Sequence, residues 1–149
     1  GESTCLEQKT KTLTWGTLGV GSTNQTPSDD PIVLNNTCNR NVTTNNVNVT
    51  AVNLIGADAS TTLWVGNFTV LNLTGGTPLY ECFASPGTRM ANNTKVNLTY
   101  EQLPAGNNSA PSTEINGTER LYFCIITVPS LAQQIYSTNL SQSWTISIF

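Results

Sequence analysis

The stretch Leu121-Tyr122-Phe123-Cys124-Ile125-Ile126-Thr127-Val128 decides the fold. Side chains of a strand alternate between faces, so odd and even positions of this run point to opposite sides. Leu121, Phe123 and Ile125 make one face apolar, and Tyr122, Cys124 and Ile126 do the same for the other. A strand that is apolar on both faces is covered on both, which places it in the middle of a sheet.

Outward from that run, no helical periodicity recurs. Short runs of β-branched and aromatic residues alternate with turn-forming clusters instead, which is the pattern of an all-β sandwich. The pattern predicts strands over residues 12–20, 31–36, 46–55, 62–73, 79–84, 95–103, 120–128 and 143–149. Alternation is cleanest in Val47 and Val49 against Asn48 and Thr50. It recurs in Val96, Leu98 and Tyr100 against Asn97 and Thr99, and in Trp144, Ile146 and Ile148 against Thr145 and Ser147. Turns are expected at Gly75-Gly76, Ser85-Pro86-Gly87, Pro104-Ala105-Gly106 and Asn116-Gly117. About eight antiparallel strands of this length form a two-sheet sandwich, with Trp15, Trp64 and Trp144 as expected core anchors. The division is a polar, extended N-terminal arm over residues 1–11 and one domain over residues 12–149.

The composition narrows the function classes. Of 149 residues only 10% are charged, against about 25% in ordinary soluble domains. A net charge of -3 and the absence of histidine leave no basic patch, so nucleic-acid binding through phosphate neutralisation is not expected. Ser-His catalysis is excluded for want of histidine. The three lysines, Lys9, Lys11 and Lys95, and the nine acids form no nucleophilic or paired-carboxylate pattern. Asp29-Asp30-Pro31 is the sole acidic doublet and reads as a turn before a strand rather than a Ca²⁺ site. No cofactor, metal, small-molecule substrate or enzymatic activity is expected, and no apolar run is long enough for a membrane span.

A surface this poor in charge needs another source of solubility. The sequence holds 18 Asn, 24 Thr and 12 Ser, from which chance would make roughly four N-x-S/T acceptors. It holds eleven, at Asn24, Asn35, Asn41, Asn48, Asn67, Asn72, Asn92, Asn97, Asn107, Asn116 and Asn139. In those at Asn41, Asn48, Asn67, Asn72, Asn97 and Asn139 the middle residue is apolar. Strand geometry then puts Asn and Thr on an outer face and the apolar residue inside. The other five, with Gln, Asn or Gly at the centre, read as loops. The expectation is an N-glycosylated extracellular protein whose start at Gly1 follows removal of a signal segment.

Four cysteines in such a chain, at Cys5, Cys38, Cys82 and Cys124, make two disulfides with three allowed connectivities. The favoured pairing is Cys5–Cys38 and Cys82–Cys124, the first tying down the arm and the second joining two predicted strands. No C-x-x-C pair supports a metal site.

Thr14-Trp-Gly-Thr-Leu-Gly-Val-Gly-Ser22, followed by Val33-Leu-Asn-Asn-Thr37, resembles the opening of immunoglobulin-like domains in microbial surface proteins. The run from Leu121 to Ser130, then Gln134-Ile-Tyr136 and Trp144-Thr-Ile146, is similar to the end of such domains, with Gln134-Ile135 where the family has glycine. The resemblance covers about half the chain. It implies an extracellular immunoglobulin-like β-sandwich, most like archaeal pilus-type, thread-like and TasA-like filament subunits. The expected role is a structural subunit whose partners are copies of itself, held outside the cell by assembly because no anchor, lipidation motif or sorting signal is seen. Assembly would run by strand addition, with residues 6–20 as the donated segment and Leu13, Trp15 and Leu18 as its inserts. The alternative is a secreted or surface binding module, an adhesin or receptor ectodomain. Its contact face would fall in the sequon-free residues 73–91 or 118–138.

Overall fold

A computed structural model describes residues 6–8, 12–29, 31–36, 47–72, 82, 87–98 and 118–148. The described chain is all-β apart from one turn of 3-10 helix at Val65–Asn67. Its strands are β1 (Leu6–Gln8), β2 (Thr23–Gln25), β3 (Ile32–Asn36), β4 (Val47–Ala51), β5 (Leu54–Gly56) and β6 (Thr62–Leu63). They continue with β7 (Phe68–Asn72), β8 (Thr88–Arg89), β9 (Thr94–Asn97), β10 (Thr118–Thr127), β11 (Tyr136–Ser137) and β12 (Thr145–Ile148).

The decisive run lies in β10, which sits where an apolar-on-both-faces strand must sit. β10 pairs with β3, β7 and β2 at the centre of the sheet β1-β3-β10-β7-β8. Leu121, Phe123 and Ile125 enter the main core, while Tyr122 and Cys124 are buried on the opposite face. There Cys124 is bonded to Cys82, whose Cα lies 5.3 Å away. Two smaller sheets, β12-β4-β9 and β11-β5-β6, complete the architecture, and every recorded pairing is antiparallel. The core lies between sheets: Ile32, Leu34, Phe68 and Val70 meet Val47, Val49 and Ala51. Each such side chain contributes about 1.5–3 kcal/mol through burial.

The described residues hold twelve short strands where about eight longer ones are expected for the chain, and one joint explains much of the difference. Predicted strand 46–55 breaks into β4 and β5 around Asn53, and predicted strand 62–73 breaks into β6 and β7 around Trp64. Asn53 accepts a hydrogen bond from the Val65 N–H at 2.9 Å and donates its own N–H to Asn92 Oδ1 at 2.9 Å. Both main chains change sheet where these bonds form, so an Asn side chain substitutes for the ladder. The same break exposes Trp64, which is 62% accessible and lies in no strand, contrary to its expected core role. Trp15 and Trp144 do anchor the core, each edge-on to Phe68 with centroids 5.1 and 5.3 Å away.

Residues 12–20 are not a strand, which corrects the sequence reading. Gly16 and Gly19 weaken strand formation there, and the chain turns at Gly21, whose φ of +84° suits glycine. Predicted strand 79–84 falls outside the described residues except for Cys82, a turn residue. β2, β8 and β11 were not anticipated, because two- and three-residue strands carry no periodicity of their own, whereas β1 falls in the arm read as extended.

Candidate functional site

An apolar groove of about 1250 Å³ is crossed by residues 12–20. Phe68 and Phe123 line it from the sheets, Trp144 from just before β12, and Leu13, Trp15 and Leu18 from the crossing segment. All three expected insert residues are therefore brought together, half-buried and packed against the core of their own chain.

The way this strap is held is unusual for a β protein. At one end Thr14 N–H donates to Asp29 Oδ1 at 2.7 Å, and Thr12 Oγ1 donates to Asp29 Oδ2 at 3.2 Å. Thr14 O also accepts from the Ser28 N–H at 2.8 Å and from Ser28 Oγ at 3.2 Å. At the other end Ser22 N–H donates to Gly19 O, and Gly21 N–H to Val128 O. Between these anchors, residues 15–18 make no main-chain hydrogen bond among the described residues. Side chains hold the middle: Trp15 packs on Phe68 and donates its indole N–H to Gln25 O at 2.9 Å. The strap is thus docked by apolar burial and an indole hydrogen bond, not by a ladder.

Asp29 is the charged element of this latch. Burial acts to raise its pKa, but the Thr14 N–H and the Thr12 hydroxyl outweigh it and hold the carboxyl below its usual range. Asp29 of the acidic doublet is thus a turn residue serving the strap. A second carboxylate, Asp58, ties the β5–β6 turn to the segment before β11. Its oxygens accept from the Ser60 and Thr61 N–H groups, the Thr61 hydroxyl and the Gln134 amide, while its own N–H donates to Gln134 Oε1. Gly56 leaves room for this, since a Cβ there would come within 2.6 Å of the Gln134 amide.

The rim of the groove carries exposed apolar residues, Val20 and Ile135, the latter 76% accessible. Among the described residues no group of three or more His, Cys, Asp or Glu is placed to hold a metal ion. No described helix is long and apolar enough to cross a membrane.

The structure sorts the sequons. Asn92, Asn97 and Asn139 are exposed, Asn24 and Asn67 half-buried, and Asn35 and Asn48 have no accessible surface at all. Asn41, Asn107 and Asn116 lie outside the described residues, as do Cys5, Cys38 and the side chain of Asn72. The rule that an apolar centre marks a half-buried strand fails at Asn139, where Leu140 is 60% exposed in a turn. The placement of Asn on an outer, open face fails at Asn48, which has no accessible surface although its cross-strand neighbours Asn97 and Ser147 are exposed.

No family model, no curated protein and no solved structure matches this chain.

Proposed function

We propose that the chain is a structural subunit of an extracellular, N-glycosylated filament or surface layer that assembles by strand addition between copies. Its fold on this reading is an immunoglobulin-like sandwich of the archaeal pilus and thread kind. The observation that carries the proposal is the strap over the groove, pinned by hydrogen bonds near its ends while the main chain of residues 15–18 has no hydrogen bond among the described residues. A segment bound in this way leaves its groove without breaking a ladder, and the equivalent segment of another copy makes the same contacts. The start of the chain adds to this. Among the described residues β1 pairs with β3 over Leu6–Asn36, Glu7–Asn35 and Gln8–Leu34, a ladder that exchange between copies would reproduce. Exchange of identical elements needs no new interface chemistry, and an open head-to-tail arrangement extends it into a fibre.

Removing residues 1–20 tests the reading. The truncated chain should fail to fold stably alone and regain structure when a peptide of residues 6–20 is added, followed by circular dichroism and size exclusion. A stable truncated monomer that ignores the peptide would overturn strand donation. Negative-stain microscopy of the whole chain should show fibres or sheets.

The exposed Ile135 and Trp64 favour a second reading as a surface binding module, since large exposed apolar side chains mark contact sites. Ile135 falls in the sequon-free residues 118–138. Monodisperse particles that never form fibres would select this reading.

A further inference from the structure

The eleven sequons are equivalent by sequence, but the fold does not treat them as equivalent. Asn48 has 0% exposure and lies on β4, flanked by β9 and β12. Neither its Nδ2 nor its Oδ1 has a hydrogen-bond partner. Its register partners are Asn97 on β9 and Ser147 on β12, both exposed. The asparagines of two sequons, Asn48 and Asn97, therefore stand directly opposite on antiparallel strands. Opposed residues share one face with Cβ atoms about 4.5–5.5 Å apart. A sugar on Asn97 covers the approach to Asn48.

Asn35 is also fully buried, held in β3 between β1 and β10. The sequon at Asn92 is the opposite case, with Asn92, Asn93 and Thr94 all exposed. Asn93 takes a left-handed φ of 52°, so the site sits on a sharp turn into β9. Asn92 Oδ1 is occupied by the Asn53 N–H at 2.9 Å, which leaves Nδ2 as the atom free to react. N-linkage keeps the amide oxygen, so the Asn53 bond survives modification.

We infer that the folded chain carries sugar at Asn92, Asn97 and Asn139 and stays bare at Asn35 and Asn48, burial and not local sequence being the cause. The inference rests on the glycoprotein reading above. In the transfer, Asn Nδ2 bonds to the anomeric carbon of an oligosaccharide as that carbon's bond to the phosphate of a lipid-linked donor breaks. The phosphate leaves with the electron pair, and the amide loses one proton to the transferase. Nδ2 must be reachable for this, and at Asn48 it is reachable only when β4 separates from its neighbours. Occupancy at Asn48 should therefore be lower than at Asn97 by about tenfold or more, since core strands open rarely.

Site-resolved glycopeptide mass spectrometry of the whole secreted chain is the test. Sugar on Asn92, Asn97 and Asn139 with unmodified Asn35 and Asn48 is the expected result. Sugar on Asn35 or Asn48 alongside the others overturns the inference alone, whereas a chain bare everywhere overturns the glycoprotein reading and the inference together. A synthetic peptide of residues 44–54, given an oligosaccharyltransferase and lipid-linked oligosaccharide, should be modified at Asn48. Its refusal would show that local sequence, not burial, keeps the site bare.

Discussion

Ala59 illustrates how much single residues of this protein are asked to do. Its φ of +62° is a left-handed conformation that an L side chain resists, and it closes the turn in which Ala59 N–H donates to Gly56 O. Ala59→Gly should therefore stabilise the chain by roughly 1 kcal/mol, measured as a higher urea midpoint at unchanged slope. Its neighbour Asp58 is held well below the usual carboxylate range, first by the Thr61 hydroxyl and then by the Thr61 and Ser60 N–H groups and the Gln134 amide. A lowered folded-state pKa means that this stabilisation is complete above the unfolded value of about 3.9 and drains away as the pH falls below it. Asp58→Asn should lower Tm at pH 7, and the gap to the parent should shrink on acidification below about pH 4. A gap that widens in acid would contradict the assignment. Neither residue was legible in the sequence, because Asp58 gains its partner Gln134 only when β5 and β11 pair.

The sheet β12-β4-β9 shows where patterning alone succeeds and where it misleads. Val47 and Val49 on β4, Val96 on β9 and Ile146 on β12 all turn toward the core as alternation requires. The opposite face was expected to be open, yet at its centre Asn48 is enclosed without a partner. An unpaired buried amide costs about 1–3 kcal/mol. Asn48→Val, with a side chain suited to a central strand, should recover about that amount in chemical denaturation. The same variant should leave total glycan mass unchanged if Asn48 carries none. At the level of this element, period-2 alternation identifies the inward face, but only the pairing of β4 between β9 and β12, both remote in sequence, places Asn48 at the centre of the other face.

For the whole molecule, the Cys82–Cys124 bond closes a separation of 42 residues and fastens a turn to the outer face of β10. Constraining an unfolded loop of that size contributes about 4 kcal/mol. Reducing the chain, or making Cys82→Ser with Cys124→Ser, should lower stability by that order in equilibrium unfolding. Tyr122 and Cys124 on that face are buried, so the bond also secures cover over the central strand. The core face, by contrast, is closed partly by residues 12–20, which pair with no strand in a ladder. One face of the central sheet is thus secured covalently and the other by a docked segment, and the proposed assembly uses the second.

What the sequence by itself determined is whatever follows from local periodicity and residue chemistry. The run around Phe123 required a central β-strand, alternation oriented β4, β9 and β12, and two of the four cysteines were rightly paired. Tertiary structure alone decided the rest. Leu13 and Trp15 are two apart, as on one face of a strand, but with Leu18 they act as a strap because the main chain of residues 15–18 has no hydrogen bond among the described residues. Trp64 has a core residue's chemistry but is exposed because Asn53 ends the ladder beside it. Sequons identical in sequence become open or closed according to the strands that flank them, since accessibility belongs to the packing and not to the three residues that spell the motif.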